Sequence, residues 1–193
     1  MQKKNIFPTI VYIDRFSLDD DKLLNSIIEL KEKNPNGMSR SNAGNSYHSI
    51  DNIHTLPNFK NLCDCIIKFT QEICEEQKIK NMFYIGNMWA NINSRGGFND
   101  VHTHGNAFLS GVYYVKVPKN SGNLRFTDPR PQSNLIVPQR EGETDMDHWN
   151  QIEFNGEIGQ VLIFPAYVPH QVLINHSEDM RISISFNIAL DWS

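Results

Sequence analysis

Two hydrophobic periodicities divide this chain into an N-terminal and a C-terminal part. In the N-terminal part, apolar residues recur every three or four positions, which predicts one helix capped by Ser17 and a second over residues 58–77. From Phe83 onward, β-branched and aromatic runs alternate with turns rich in Gly, Pro and Asn, as is typical of strands. An early strand is predicted over residues 6–14, and the Asn-, Ser- and Gly-rich residues 36–50 indicate a loop.

Helices followed by many short strands indicate an α+β protein whose helices pack outside a β core. Regularly spaced short strands are typical of a β-sandwich or a β-barrel. The length of 193 residues suits one domain. We therefore predict a single domain over residues 1–193, in which residues 1–82 supply a strand and helical support and residues 83–190 form the β core.

A long polar segment, residues 129–151, interrupts the series of strands. Its notable residues are Pro131, Pro138, Arg140, Asp145, Asp147, His148 and Trp149. A loop of this length inside a compact domain is usually a lid, a binding loop or a disordered segment. We interpret it as a lid that faces the substrate, with a disordered surface insertion as the alternative.

Composition excludes several classes of protein. The formal net charge is −4, whereas a protein that binds nucleic-acid backbones without regard to sequence is normally basic. No apolar run approaches the roughly 20 residues needed to span a membrane, and the N-terminal stretch lacks the features of a secretory signal. Three cysteines do not make a disulfide framework, so we expect a reducing, cytoplasmic location in a bacterium or a host cell.

Three histidines form a candidate metal site. His102 and His104 are two residues apart, so their side chains share one face if the segment is extended. His170 opens a later apolar strand, where a barrel would return to the first pair. Imidazole is a good ligand for iron, zinc, copper and nickel. The alternative is that all three are ordinary histidines at strand edges.

The last strand has one polar and one apolar face. Its polar face carries Arg181, Ser183, Ser185 and Asn187, and its apolar face carries Ile182, Ile184 and Phe186. A barrel interior that holds a charged ligand would explain a polar face on a strand otherwise built for a core. Arginine grips a carboxylate through two parallel hydrogen bonds, and a neighbouring serine hydroxyl can add a third.

Other polar residues near these motifs have two interpretations. Trp89, Asn91 and Asn93 alternate along a predicted strand, so the two Asn side chains either line the candidate site or belong to the core edge. His48 and His54 fall in predicted loops and are expected to be solvated.

Together these motifs resemble the iron(II)- and 2-oxoglutarate-dependent oxygenases. That family has an H-x-D/E motif, a distal His and then R-x-S; this chain has "HTH" at 102–104, His170 and "RIS" at 181–183. "YYV" and "SGNLRF" are similar to segments of prolyl hydroxylases of the hypoxia-sensing type. "SGVYYV", "FTDPR" and "RISISFN" are more similar still to a branch of these oxygenases found in phage and bacteria. The resemblance covers residues 83–190.

The resemblance implies a double-stranded β-helix, a jelly-roll fold like that of cupins, with the N-terminal helices outside it. It implies a dioxygenase of the hydroxylase type that uses Fe(II), 2-oxoglutarate and O2 and releases succinate and CO2. His102 and His170 match the family's metal-binding histidines, while Tyr113 should point away from the site. The residues expected to contact 2-oxoglutarate are Tyr114, Arg181, Ser183, Leu124 and Asn93.

Position 104 departs from the family pattern, because His104 stands where the family has Asp or Glu. One hypothesis is a metal site of three histidines. The other uses Asp128 as the carboxylate ligand, since Leu124, Phe126 and Asp128 share a strand face. We prefer the first, in which Asp128 orients a ligand imidazole or contacts the substrate.

Two other functions remain open from the sequence. A three-histidine iron cupin dioxygenase would carry a Glu soon after H-x-H, but "GNAFLSG" follows here, and a cupin has no need of R-x-S. A β-barrel binding protein without catalysis would bind neither iron nor 2-oxoglutarate. The expected partner is a small-molecule substrate or a protein side chain, with neither nucleic acid nor a membrane involved, and a homodimer is left open.

Overall fold

The computed structural model describes residues 1–136, 138–142 and 145–192. Val137, Glu143 and Thr144, which belong to the predicted loop over 129–151, lie outside the described residues, as does Ser193 at the end of the predicted domain. In the part of the chain that the structure describes, no helix is long and apolar enough to cross a membrane.

Two α-helices lie in the N-terminal part, as the periodicity predicts. Helix α1 spans Asp20–Lys33 and α2 spans Lys60–Glu76, directly after a 3-10 turn at Pro57–Phe59. The cap of α1 is Asp19 and not Ser17, because the Asp19 carboxylate accepts a hydrogen bond from the Lys22 backbone N–H at 3.0 Å.

The strands of the described residues form two antiparallel sheets. They are β1 (Tyr12–Arg15), β2 (Asn42–Ala43), β3 (Ser46–His48), β4 (Phe83–Asn93), β5 (Phe98–His102), β6 (Leu109–Lys116), β7 (Leu124–Thr127), β8 (Gln151–Phe154), β9 (Gln160–Pro165), β10 (His170–Val172) and β11 (Arg181–Leu190). The larger sheet has the order β1-β9-β6-β11-β4-β3, and the smaller has the order β2-β5-β10-β7-β8. This arrangement confirms the α+β prediction with a jelly-roll core.

Side chains that alternate along β11 face two separate buried regions of the protein. Ile182, Ile184 and Phe186 join a core cluster with Ile27 of α1 and Ile66 of α2, so the helices cover the outer face of the larger sheet. A second, smaller cluster fills the space between the sheets; it consists of Val112, Tyr114, Leu124, Phe126, Leu162, Phe164 and Val168. The polar face of β11 therefore looks into the space between the two sheets.

The first 50 residues differ from the prediction. The early strand covers only Tyr12–Arg15, and the predicted loop over 36–50 contains β2 and β3. Gly44, with φ of +60°, permits the turn between these two strands, and β3 pairs with the edge of β4. Strands of two or three residues are too short to produce a detectable alternation, which explains the error.

His48 and His54 are not the solvated histidines that the sequence predicts. His48 lies in β3 and is only 4% exposed. His54 lies in a 3-10 turn, and its Nδ1 is buried. Burial lowers the pKa of both imidazoles, so both are neutral near pH 7.

The predicted long loop connects β7 to β8 at one edge of the smaller sheet. It includes two 3-10 turns, Pro131–Asn134 and Met146–His148. At its base the Asp128 backbone N–H donates to the Asn150 carbonyl at 2.8 Å. Strand β7 also pairs with β10, which carries His170, so the loop starts one strand away from the candidate metal site.

Candidate metal centre

Strand pairing brings His102 and His170 together. His102 ends β5, His170 begins β10, and the two residues are direct partners in the antiparallel register. Their ring centroids are 4.4 Å apart. Two residues separated by most of the β core thus become neighbours because their strands are adjacent in the smaller sheet.

His104 reaches the same point by a different route. It lies beyond the end of β5, so strand alternation does not orient it, contrary to the geometry assumed from the H-x-H spacing. Instead its backbone N–H donates to the Ala166 carbonyl at 3.0 Å. Its ring centroid lies 5.1 Å from those of both His102 and His170, and one ligand nitrogen from each of the three lies within 4.8 Å of the others.

Backbone carbonyls orient two of the three imidazoles. Nδ1 of His102 lies 2.6 Å from the Asp100 carbonyl oxygen, and Nδ1 of His170 lies 2.9 Å from that of Val168. Since a carbonyl can only accept, each Nδ1 carries the proton, which leaves the Nε2 lone pair available for a metal. This arrangement is the usual one around metal-bound histidines.

Burial keeps the three imidazoles neutral. It is the main cause that lowers the pKa of His104 to about 4 and that of His170 to about 3, and neighbouring histidines lower both further. The pKa of His102 is also lowered, again mainly by burial. Neutral imidazole is the form that binds a metal ion, so no proton has to leave near pH 7.

Asp128 does not join this group of histidines. Its carboxylate accepts hydrogen bonds from the backbone N–H of Arg130 at 2.9 Å, from Nε at 3.0 Å and from Nη2 at 2.7 Å. These bonds are the main reason that the pKa of Asp128 is lowered. Among the described residues, the group that could hold a metal contains only the three histidines. The geometry therefore favours the three-histidine hypothesis.

The three histidines line a cavity, and a buried cation lies elsewhere in the wall of this cavity. Arg181 is 1% exposed, and its Nη1 donates to the Ser183 hydroxyl at 3.1 Å. In the described part of the chain, no carboxylate forms an ion pair with Arg181, and its Nε has no hydrogen-bond partner. A buried charge without a counterion is costly, so this site calls for an anionic ligand.

The two tyrosines of "YYV" point in opposite directions, as predicted. The Arg181 guanidinium carbon lies 5.2 Å from the ring centroid of Tyr114, whose buried hydroxyl has no partner among the described residues. Gly156 makes room for this ring, since a Cβ there would lie 2.5 Å from it. The Tyr113 hydroxyl instead donates to the Asp20 carboxylate at 2.7 Å on the helix side.

The remaining predicted residues lie in or beside this cavity. Leu124 lines it, and Asn91 lines it with an unpartnered Oδ1 while its Nδ2 donates to the Ser185 hydroxyl at 3.0 Å. Asn93 is opposite Arg181 in the register and is fully buried, and its Nδ2 donates to Asn99 at 3.1 Å. Asn99 also lines the cavity; nothing in its local sequence distinguishes it from other polar residues near a turn.

These residues fit a divalent metal and a dicarboxylate. Three neutral nitrogens lie within 4.8 Å of one another, and donors of Arg181 and Tyr114 that have no partner lie buried elsewhere in the same interior. A ligand with a chelating group at one end and a carboxylate at the other would satisfy both.

Comparison with known proteins agrees with this chemistry. A family model described as "Putative 2OG-Fe(II) oxygenase" matches residues 87–187. No curated protein matches the chain.

Solved structures share the fold at low sequence identity. A Pseudomonas putida prolyl-4-hydroxylase is 15% identical with a TM-score of 0.61, over 92% of this chain and 91% of that one. A prolyl hydroxylase from Trichoplax adhaerens is 13% identical with a TM-score of 0.67, over 93% and 83%. A viral collagen prolyl hydroxylase from Paramecium Bursaria Chlorella virus-1 is 14% identical with a TM-score of 0.61, over 92% and 94%.

The matched segment begins within β4 and ends within β11, so it includes the three histidines, Tyr114, Arg181 and Ser183. The family match and the shared fold thus coincide with the residues that form the cavity. The chain belongs to the 2OG-Fe(II) oxygenase family, whose enzymes use Fe(II) as cofactor, 2-oxoglutarate as co-substrate and O2 as oxidant.

Proposed function

We propose that this oxygenase is a hydroxylase in which His102, His104 and His170 hold the iron and Arg181 holds the distal carboxylate of 2-oxoglutarate. One observation carries the proposal: three neutral imidazoles and a buried arginine without a counterion line the same cavity. A barrel with a purely structural role needs neither feature. Iron held by the imidazoles would bind the chelating end of 2-oxoglutarate, and the arginine would bind its distal carboxylate.

When bound, Fe(II) supplies the activation of O2 that couples hydroxylation of a substrate C–H bond to conversion of 2-oxoglutarate into succinate and CO2. The protein contributes position and environment. Hydrogen bonds to the carbonyls of Asp100 and Val168 hold two imidazoles in the tautomer that ligates through Nε2. Apolar side chains that include Leu124, Phe164 and Val172 line the cavity beside them.

Arg181, Ser183 and Tyr114 form the carboxylate-binding end. The Arg181 guanidinium has its Nε free to donate, and the buried Tyr114 hydroxyl adds a neutral donor, because burial raises the pKa of this phenol. Ser183 braces the arginine by accepting from Nη1. The co-substrate carboxylate would then replace the missing counterion of Arg181.

A three-histidine triad changes the charge of the metal site. The family pattern supplies one carboxylate, whereas three neutral imidazoles supply none, so the centre is one unit more positive. Ligand charge and the surrounding hydrogen bonds tune metal potential and the acidity of bound groups. We therefore expect a reduction potential different from that of a site with two histidines and one carboxylate.

The substrate is a small molecule or a protein side chain. Structures of the same fold include both kinds: the Trichoplax adhaerens enzyme holds a hypoxia inducible factor peptide fragment, and HygX from Streptomyces hygroscopicus holds hygromycin B. The three cysteines are free thiols, which fits a reducing cytoplasm.

An anaerobic titration tests the proposed function directly. Apoprotein mixed with 2-oxoglutarate should develop a visible metal-to-ligand charge-transfer band as Fe(II) is added, with an end point of one iron per chain. The band requires 2-oxoglutarate to chelate the iron, so neither ligand alone should produce it. If Fe(II) binds without a band, the site is a metal site of another class.

Substitutions at His104 and Asp128 separate the three-histidine ligand set from the set that contains Asp128. His104→Asp restores the usual family triad, so this variant should keep the band. Asp128→Asn should also keep it, because Asp128 is already paired with Arg130. Loss of the band in Asp128→Asn, together with a retained band in His104→Ala, would instead make Asp128 the ligand.

Trimming the long loop should uncouple the reaction without emptying the site. We predict that replacing residues 132–148 by a short Gly-Ser linker leaves Fe(II) and 2-oxoglutarate binding nearly unchanged, because the residues that hold them lie on the strands and at the end of β5. Lids of this kind sequester reactive intermediates until substrate is bound. The trimmed protein should therefore form succinate slowly without hydroxylated product. Fully coupled turnover would show that the loop has no part in recognition.

A further inference from the structure

The ring of His104 has two aromatic neighbours. It stacks on Trp89, with centroids 5.8 Å apart and an interplanar angle of 22°. It is also nearly parallel to the ring of His170, with centroids 5.1 Å apart and an angle of 5°. These separations lie in the range of stacked aromatic pairs. The indole of Trp89 thereby restricts the plane of the His104 ring.

Trp89 is itself fixed from behind. It lies in β4 and is 8% exposed, and it stacks on His48 of β3 with centroids 5.3 Å apart and an angle of 9°. Nδ1 of His48 lies 2.6 Å from the Ser49 carbonyl oxygen, which holds that ring in turn. The three rings of His48, Trp89 and His104 thus form a continuous stack from the edge of the larger sheet to the metal site.

His104 differs from the other two histidines in what fixes it. His102 and His170 lie on paired strands and donate from Nδ1 to backbone carbonyls. His104 lies beyond its strand, where its backbone N–H donates to the Ala166 carbonyl. That bond does not restrict rotation of the imidazole about its own side-chain torsions, whereas the indole of Trp89 packed against the ring does.

We propose that Trp89 is a positioning residue for the metal centre: its indole holds the His104 imidazole in the plane that directs a ring nitrogen to the ion. The inference rests on the proposed three-histidine triad. It assigns Trp89 and His48 a function in metal binding that burial in a β core does not require.

Cobalt(II) is the probe that tests this positioning. It reports the ligand set through its visible d–d spectrum, and as an open-shell ion it quenches a nearby indole. Addition of Co(II) to the apoprotein should quench the Trp89 fluorescence with the same midpoint as the d–d band. Trp89→Phe should lose this quenching, whereas Trp192→Phe should retain it, because Trp192 is 81% exposed on the C-terminal segment.

Affinity distinguishes positioning from packing. Trp89→Leu fills much of the space but has no flat face, and we expect its Co(II) affinity to fall 10–100-fold, roughly the range found when groups that orient a ligand are removed. Trp89→Phe keeps a planar ring, so its affinity should stay within about threefold of the parent. The d–d spectrum of Trp89→Leu should also change, because a mobile imidazole alters the ligand geometry.

The His104→Asp background is the matched control. A carboxylate does not depend on stacking, so Trp89→Leu should change Co(II) affinity there by less than about twofold. An unchanged affinity and spectrum in Trp89→Leu alone would overturn the proposal. Equal losses in both backgrounds would also overturn it, because Trp89 would then support the fold in general. If His104→Asp binds no Co(II), the comparison of Trp89→Leu with Trp89→Phe decides.

Failure of the triad itself would look different. Parent protein that binds no Co(II), or that binds it equally well after His170→Ala, contradicts the proposed metal site before Trp89 is changed. If the parent binds Co(II), His170→Ala does not, and Trp89→Leu binds Co(II) like the parent, only the positioning role of Trp89 is contradicted.

Discussion

His170→Ala should reduce Fe(II) affinity by more than about 100-fold, which exceeds the loss typical for residues that merely orient a ligand. His170 begins the central strand of the smaller sheet and contributes the most buried of the three imidazoles. Its removal leaves two nitrogens, and the hydrogen bond to the Val168 carbonyl that sets its tautomer is lost with it. Anaerobic calorimetry with Fe(II) measures the change.

The matched control for this prediction is His176→Ala. His176 is an exposed histidine on the turn after β10, outside the group of three. The control variant should bind Fe(II) like the parent. Equal affinity in His170→Ala and the parent, with both proteins folded by circular dichroism, would refute the metal site.

Arg181→Ala should weaken 2-oxoglutarate binding by tens to hundreds of fold in Kd, about 2–4 kcal/mol, while Fe(II) binding without 2-oxoglutarate is retained. The variant removes a charge-assisted pair and leaves the distal carboxylate facing a buried site without a counterion. Arg181→Lys should recover only part of the loss, because an ammonium group cannot reproduce the planar arrangement of guanidinium donors. Titration of 2-oxoglutarate into the Fe(II) protein under nitrogen measures both variants.

Thermal unfolding gives an independent readout for Arg181. 2-Oxoglutarate stabilises the Fe(II)-loaded parent by mass action, and at the same ligand concentration this increment should be much smaller in Arg181→Ala. Arg125→Ala is the control, since the Arg125 guanidinium is already paired with Glu153 at 2.6 Å on the edge of the smaller sheet. An unchanged 2-oxoglutarate affinity in Arg181→Ala would show that another group holds the distal carboxylate and would overturn the role proposed for Arg181.

Residues 83–93 and 181–190 illustrate what local pattern can predict. The aromatic and β-branched residues of "FYIGNMWANIN" predict one strand, and β4 spans this stretch from end to end. The alternation of "RISISFN" was expected to separate a ligand-facing side from a core side, and Ile182 and Ile184 pack towards the helices while Arg181 and Ser183 line the cavity. Side chains alternate wherever a strand is regular, so the face is readable without knowing the partner.

His104 and Asp128 show where local pattern stops. Spacing in H-x-H predicts that strand alternation orients His104, but the strand ends at His102. Beyond it, the His104 backbone N–H donates to the Ala166 carbonyl, and the imidazole stacks on Trp89 of β4. Asp128 shares a face with Leu124 by spacing, yet Arg130 captures its carboxylate after the strand has ended. A strand boundary depends on which partner is paired, and periodicity does not contain that information.

By itself, the sequence determined the α+β order of elements, the faces of the long strands and the residue types that suit a metal and a carboxylate, because these follow from side-chain chemistry and from periods of two or 3.6 residues. Only the tertiary structure decided that His48 lies buried behind Trp89, that β2 and β3 exist, and that three imidazoles meet while Asp128 stays outside. Each of these outcomes depends on contacts between segments far apart in the chain. Such contacts are chosen by packing over the whole fold, and no short stretch of residues specifies them.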